Sequence, residues 1–375
     1  MAEDEFRRSL RAWLATTPRP PGLRDYGATP TAEDVPGARC WQRLLHDGGW
    51  AGLSWPRENG GRAASVAEQA AFAEEMATAG VPRQLNLVGL ELAGPMIIRF
   101  GTAEQKARFL PPLLAGEEIW CQLFSEPNAG SDLAGIQTRA VPDGDGWVAS
   151  GQKVWSSGAH YSRWGLLLAR TDPAAVRHRG LTCFLFDMSR PGVDVRLIRQ
   201  MDGEEKFTEV FLTGVRLEQA DVLGEVGQGW AVAMSTLGRE RLTLGAQAVG
   251  LQQALDAIRK EAITRGRSSD RVFRQHCVEA WIKVQLLRVT WRRAIAAGGD
   301  VSDPRMSLLK LIASELQREV ANLGSEVAGM DIAAGDRGTV WRQRLLSAPG
   351  QTLAGGTSEI QRNIIAERVL GLPRA

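Results

Sequence analysis

The stretch that decides the fold runs from residue 146 to residue 217. It contains GWVASGQKVW (146–155), RWGLLLARTD (163–172), GLTCFLFDMS (180–189), GVDVRLIRQM (192–201) and FTEVFLTGVRL (207–217). Each run is short and either apolar or alternating, and Gly, Pro, Asp and Ser separate the runs. That pattern predicts a compact antiparallel β domain. The DGDG at 143–146 reads as a hairpin turn and is too short for a calcium loop.

Outward from this block the period changes. Toward the N-terminus the chain reads as helices. EDEFRRSLRAWLA (3–15) places Phe6, Leu10, Trp13 and Leu14 at helical spacing, and ASVAEQAAFAEEMATAG (64–80) and LVGLELAGPMIIRFG (87–101) continue in the same style. TAEQKARFLPPLLAGE (102–117) begins with a Thr N-cap, and Pro111–Pro112 is expected to end its helix, because a residue before proline avoids the helical region. Beyond the strands the chain returns to helix, most clearly in GWAVAMSTLGRERLTLGAQAVGLQQALDAIRKEA (229–262). The expected blocks are 1–117 (helical), 118–223 (β) and 224–375 (helical), an α+β organisation. They read more readily as one integrated enzyme than as three beads, and both remain open.

Composition excludes several classes. The 375 residues are 44% hydrophobic and 23% charged, with net charge +2 and no basic run, so nucleic acid is an unexpected partner. Cys40, Cys121, Cys183 and Cys277 are far apart with no Cys-x-x-Cys, and His46, His160, His178 and His276 are equally scattered. Neither a disulfide framework nor a metal site is expected, and reduced thiols fit a cytoplasmic protein. MAEDEFRRSLRAWL (1–14) lacks the order of a signal peptide, and no membrane span is expected. GEVGQGW (224–230) reads as a loop entering a helix, not as a dinucleotide-binding turn.

Three places invite chemistry. Leu237, Leu244, Ala248, Leu251, Leu255 and Ile258 form one apolar helical stripe, and Glu240 falls on it. An acid there is costly unless paired or neutral. It is either salt-bridged to an arginine of another helix or held dry with a raised pKa, which suits proton abstraction. SEPNAGSD (125–132) is a turn by composition, or a loop whose amides and hydroxyls line a cofactor. GGTSEIQRNIIAERVLGLPR (355–374) reads as a well-capped helix, with Ser358 and Gln361 matching a capping box and Gly371 and Pro373 as stop signals; its Gly-Gly-Thr entry would let backbone N–H groups approach a ligand.

Taken together, FGTAEQKARFLPPLLAGE (100–117), CQLFSEPNAGSDLAGIQTRA (121–140), GQKVWSSGAH (151–160) and the closing GGTSEIQRNIIAERVLGLP resemble the acyl-CoA dehydrogenase family in order and spacing, across essentially the whole chain. The resemblance implies an N-terminal helical domain, a middle β domain and a C-terminal four-helix bundle. It also implies dimers or tetramers, bound FAD and α,β-desaturation of acyl thioesters. By position, Phe124 and Ser125 would contact the flavin ring, Ser131 the flavin phosphate or substrate, Trp155 the isoalloxazine face and Ser157 its reactive edge. Thr357 and Glu359 would touch FAD, and the Gly355 N–H would hold the thioester carbonyl. Many members carry a catalytic glutamate immediately before the Gly-Thr pair, where this chain has Gly355. Other members carry it in a Glu-Arg-Leu stretch of the first bundle helix, which corresponds here to Glu240, with Arg241 beside the substrate.

The resemblance departs at the adenine end of FAD. TRGRSSDRVFRQ (264–275) stands in for the usual Arg-x-x-Phe-Gly element, leaving Arg265 and Gln275 as equivalents, and SEVAGMDIAAGD (325–336) poorly preserves a Gly-rich element. WCQLFSEP and RTDP are similar to a bacterial branch that acts on bulky substrates such as steroid side chains, in which a different chain completes the site. Homo- and hetero-oligomers are therefore both expectations. So are a CoA-bound or carrier-protein-bound acyl group and an electron-transfer flavoprotein as acceptor. The alternatives are a non-catalytic or half-site subunit and an oxygen-using flavin oxidase or monooxygenase.

Overall fold

The structure is a computed structural model. It describes residues 2–27, 29–239, 244–297, 303–334 and 338–373. These form two compact units, one from 8–65 and 80–239, the other from 1–7, 66–79 and 240–375.

In the first unit, α2 (Val35–Asp47), α4 (Gly94–Phe100) and α5 (Ala103–Ala115) precede a sheet of seven strands, and α6 (Gly229–Arg239) follows it. The strands are β1 (Trp120–Leu123), β2 (Arg139–Asp143), β3 (Gly146–Lys153), β4 (Trp164–Arg170), β5 (Leu181–Asp187), β6 (Val193–Ile198) and β7 (Phe207–Leu217). All five apolar or alternating runs become strands, and Asp143 pairs with Gly146 across the expected two-residue turn. Gly144 supplies the φ of 60° that such a turn requires.

The sheet is mixed rather than antiparallel throughout. β2–β3, β3–β7, β6–β7 and β4–β5 are antiparallel, but β1 runs parallel to β4, and β2 meets β4 at one parallel pair, Arg139 with Arg170. Parallel neighbours need a long crossover, and the β2–β3 hairpin lies within the connection from β1 to β4. β4 and β5 are buried on both faces, which is why they read as continuous apolar runs. Leu166, Leu168, Leu181 and Leu185 join one core with Ile97, Leu113 and Val232, while Leu167, Phe184 and Phe186 join another with Trp147 and Val210.

Helix α5 corrects the expectation at Pro111–Pro112, because it runs through both prolines to Ala115. Burial of Leu113 and Leu114 favours the extra turn. Its carbonyls are taken from outside: Asn86 donates to Leu113 O (2.9 Å) and Gln42 to Leu114 O (3.2 Å). The Thr102 cap is as expected, with a full capping box to Gln105.

The second unit is helical. α7 (Leu244–Thr264), α8 (Arg271–Ala296) and α9 (Met306–Ala328) pack on one another, α10 (Thr339–Gln351) and α11 (Ser358–Ile364) pack on α9, and α3 (Val66–Thr78) packs on α7. Of the predicted stripe, Ala248, Leu251, Leu255 and Ile258 are buried against Val284 and Leu287 of α8 and Leu316 and Val320 of α9. Trp341 of α10 is anchored by its Nε1 on Glu261 (2.8 Å). The N-terminal helix α1 (Ala2–Thr16) buries Phe6 and Leu10 as its spacing predicts. No described helix is long and apolar enough to cross a membrane.

Candidate active site

In the first unit, four predicted site residues come together where β1 and β3 end. Phe124 and Ser125 follow β1, Trp155 and Ser157 follow β3, and the Val154 amide donates to the Ser125 carbonyl (2.9 Å), clamping the two exits side by side. The Phe124 ring is buried in the core. Trp155 is the reverse case. Its backbone has a φ of 61°, which costs a non-glycine residue roughly 1–2 kcal/mol, and the residue is 58% exposed, its ring meeting Phe207 edge-on (5.9 Å). Strain that presents a large apolar ring to solvent points to a ligand surface. Ser125 and Ser157 flank it half-buried, and neither hydroxyl has a hydrogen-bond partner among the described residues. Ser131 lies exposed farther along the same loop.

Sequence reasoning missed what holds this shelf in place. Lys153, fully buried, donates to the Phe124 carbonyl (3.1 Å) and to Glu126 Oε1 (2.9 Å). Glu126 also accepts the amides of Gln137 (2.6 Å) and Thr138 (2.9 Å). Burial raises the Glu126 pKa, but the Lys153 ammonium and these amides outweigh it, so its pKa lies below the ordinary carboxylate value. Burial pushes Lys153 down to about 8, against the pull of Glu126. The two groups form a buried ion pair at 2.9 Å. A readable signal existed: Lys153 falls on the phase of Ala149 and Gly151 along β3, and Ala149 points into the core. Beyond the pair, the Thr208 hydroxyl donates to Ser156 O (2.8 Å) and fixes the next residue of the shelf.

The second unit carries the remaining positions. Gly355 and Gly356 have φ of 66° and 91°, a left-handed pair that side chains disfavour. Gln361, fully buried, donates to the carbonyls of Gly355 (3.0 Å) and Gly356 (3.4 Å). The cap of α11 is Thr357, whose hydroxyl accepts the Ile360 amide (3.2 Å). The capping box expected at Ser358 and Gln361 is therefore one residue out of register, because Gln361 is committed to the glycine turn. Gly371, at φ 70°, stops the helical segment as expected. Glu359 is exposed, and its own amide and the Thr357 hydroxyl hold its carboxyl below the usual range.

Arg265 and Gln275 do not join this turn. Arg265 pairs with Glu261 (2.8 Å) and Asp331 (2.7 Å) and donates to Ala328 O (3.2 Å), at the C-terminal end of α9. The glycine turn is tied to the other end, where Lys310 donates to Thr352 O (3.4 Å). The separation along α9 is roughly 27 Å at 1.5 Å per residue. Gln275 is exposed and bonds Glu279 (3.0 Å). Glu240 and Arg241 lie outside the described residues.

Comparison with known proteins accounts for the whole chain. Family models match at residues 2–117 (acyl-CoA dehydrogenase, N-terminal domain), 121–215 (middle domain) and 227–370 (C-terminal domain). The chain belongs to the acyl-CoA dehydrogenase family. It is an acyl-CoA dehydrogenase, an oxidoreductase acting on CH–CH, and its family generally uses FAD. The acyl-CoA dehydrogenase IpdE1 of Mycolicibacterium smegmatis (strain ATCC 700084 / mc(2)155) is 40% identical over 99% of this chain and 98% of its own length. The acyl-CoA dehydrogenase FadE34 of Mycobacterium tuberculosis (strain ATCC 25618 / H37Rv) is 39% identical over 89% of this chain and 46% of its own. Among solved structures, the Tcur3481-Tcur3483 steroid ACAD is 27% identical with a TM-score of 0.87, covering 100% of this chain and 98% of that one. The ChsE4-ChsE5 complex from Mycobacterium tuberculosis is 29% identical with a TM-score of 0.85, at the same coverage.

Proposed function

We propose that this acyl-CoA dehydrogenase binds FAD on the shelf formed by Phe124, Ser125, Trp155 and Ser157. The observation that carries the reading is the exposed Trp155 ring on a strained backbone, flanked by two unpartnered hydroxyls. FAD bound there would supply the hydride acceptor for the β-hydrogen. The chain's own residues do the rest. Glu240 takes the α-proton, the Gly355 amide hydrogen-bonds the thioester oxygen as charge develops on it, Arg241 and Ser131 hold substrate, and Thr357 and Glu359 contact the cofactor. Electrons leave to an electron-transfer flavoprotein. We read the three domains at 1–117, 118–223 and 224–375.

We further read the substrate as a bulky, steroid-derived acyl-CoA and the assembly as a hetero-oligomer. The two-chain character of both structural neighbours, one a steroid ACAD, supports this. So does the distance of Arg265 from the glycine turn of its own chain, which suits it to a neighbouring subunit's cofactor. On α8, Val278, Trp281, Ile282, Leu286 and Val289 form an exposed apolar row at helical spacing, the kind of surface an interface covers.

The test is the visible spectrum of the protein purified alone and with co-expressed partner chains, before and after anaerobic addition of acyl-CoAs that include steroid side-chain thioesters. Bleaching of bound flavin by a steroid thioester supports the whole reading. A coloured protein that no acyl-CoA bleaches sinks the proposed site, and fast reoxidation by oxygen moves the chain to the oxidases.

A further inference from the structure

In the first unit, the segment from Pro82 to Asn86 is held almost atom by atom. Trp41 Nε1 donates to the Pro82 carbonyl (3.0 Å), the Tyr26 hydroxyl to the Arg83 carbonyl, and Gln84 Nε2 to the Trp50 carbonyl (3.1 Å). Asn86 Nδ2 donates to the carbonyls of Leu113 (2.9 Å) and Glu118 (3.1 Å), and its Oδ1 accepts the Trp120 amide (3.0 Å). Leu85 packs with Tyr26, Ala38 and Ile119. The exception is the Arg83 guanidinium. It is half-buried, yet among the described residues it donates no hydrogen bond and makes no ion pair. Burial pushes its pKa down, against the pull of Asp25 and Glu91.

A guanidinium withdrawn from water without a partner is unfavourable, and a rigid segment that presents one is preorganised for a ligand. Its five N–H groups form a planar fork that matches a carboxylate. The location connects it to the shelf. Asn86 ties the segment to Trp120, the first residue of β1, and β1 leads directly to Phe124 and Ser125. Tyr161 packs on the same Leu85 cluster, and beside it the half-buried His160 ring (4.7 Å, edge-on) has two buried nitrogens without partners among the described residues. His160 follows soon after Ser157 in the loop that leaves the shelf.

We propose that Arg83 is a specificity residue that receives a carboxylate at the far end of the acyl group, so that the substrate is an acyl thioester bearing a second, free acid. This rests on the active site proposed above.

The test is equilibrium binding to the flavin-loaded protein as purified, with its partner chain if one co-purifies. The ligands are glutaryl-, adipoyl- and suberoyl-CoA, each compared with the neutral acyl-CoA of equal chain length. In the wild type, at least one ω-carboxyacyl-CoA should bind roughly 10- to 100-fold tighter than its neutral match, the range of charge-assisted hydrogen bonds. Arg83→Met should abolish that preference while leaving neutral ligands nearly unchanged. Arg83→Lys, which keeps the charge but loses the fork, should retain part of it and guards against a misfolded Met variant. No preference in the wild type at any length, including no binding at all, overturns the proposal, as does a preference that survives Arg83→Met. Flavin bleaching in the same titrations reports on catalysis separately. A carboxylate preference without bleaching would sink the proposed activity of the site and keep the role of Arg83.

Discussion

Replacing Lys153 with Met tests whether the buried ion pair holds the shelf. The change keeps most of the side-chain volume and removes one ammonium. That ammonium makes two hydrogen bonds, to Phe124 O and Glu126 Oε1, from a position with no solvent exposure. Removing one partner of a buried pair costs about 3–5 kcal/mol, because the other charge is left uncompensated. Glu126 keeps the Gln137 and Thr138 amides, so the low end applies, about 3 kcal/mol. Adding Glu126→Gln removes the stranded charge and should recover about 2 kcal/mol of that loss. The assay is urea unfolding of wild type, both single variants and the double variant, at neutral pH and constant slope, so that midpoints convert to stability. Flavin affinity measured beside it should fall with Lys153→Met, since the Phe124 carbonyl loses its anchor. The pair also has an acid limb. Because the Glu126 pKa is depressed in the fold, its stabilisation is complete above its unfolded value near 4.3 and is lost as pH falls below it. Glu126→Gln should flatten that limb. A Lys153→Met loss under about 1 kcal/mol, or a double variant no more stable than Lys153→Met, refutes the reasoning.

Three further changes probe the shelf and the chemistry. Trp155→Gly should leave stability unchanged or raise it by up to about 1 kcal/mol, since it relieves a left-handed backbone and removes a mostly exposed ring; it should also weaken flavin binding, and intact binding by calorimetry would remove Trp155 from the site. Ser125→Ala should weaken flavin binding by about 1 kcal/mol, one hydrogen bond, and an unchanged flavin spectrum and affinity would count against that contact. Glu240→Gln should keep flavin but abolish bleaching by acyl-CoA. Adding Gly355→Glu then asks, by the same assay, whether the common base position still works; we expect partial rescue at most, because that site's left-handed φ costs a side chain roughly 1–2 kcal/mol.

What was legible in the sequence was local. The Thr102 cap, the Gly144–Asp145 turn and the strands β3 to β7 each carry their signal within a few residues. Pro111–Pro112 misled because the end of α5 is set at a distance, by Asn86 and Gln42 capturing its carbonyls and by burial of Leu113. The parallel pairing of β1 and β4 has no local signature at all. The letters Ser358 and Gln361 fit a capping box, yet the cap is Thr357. Only the fold shows that Gln361 already serves the glycine turn. The apolar stripe through Ala248 and Ile258 was read correctly, and the same test of a charge on a buried phase, applied to β3, picks out Lys153. Resemblance names Phe124 and Trp155 separately, and only the fold shows that they share one shelf. The bare guanidinium of Arg83 could not be found through resemblance, since having no partner is a property of surroundings rather than of sequence.

The parallel pairing of β1 with β4 also sets an order of assembly. The β2–β3 hairpin can close as soon as both strands exist, but Trp120–Leu123 must wait for Trp164–Leu167, about 40 residues later, which at roughly 5–20 residues per second is several seconds of synthesis. During that interval WCQL is a naked strand edge, open to the wrong neighbour. Nascent chains released before residue 170 should therefore aggregate through this strand, and slow translation between the two segments should lower the yield of soluble protein.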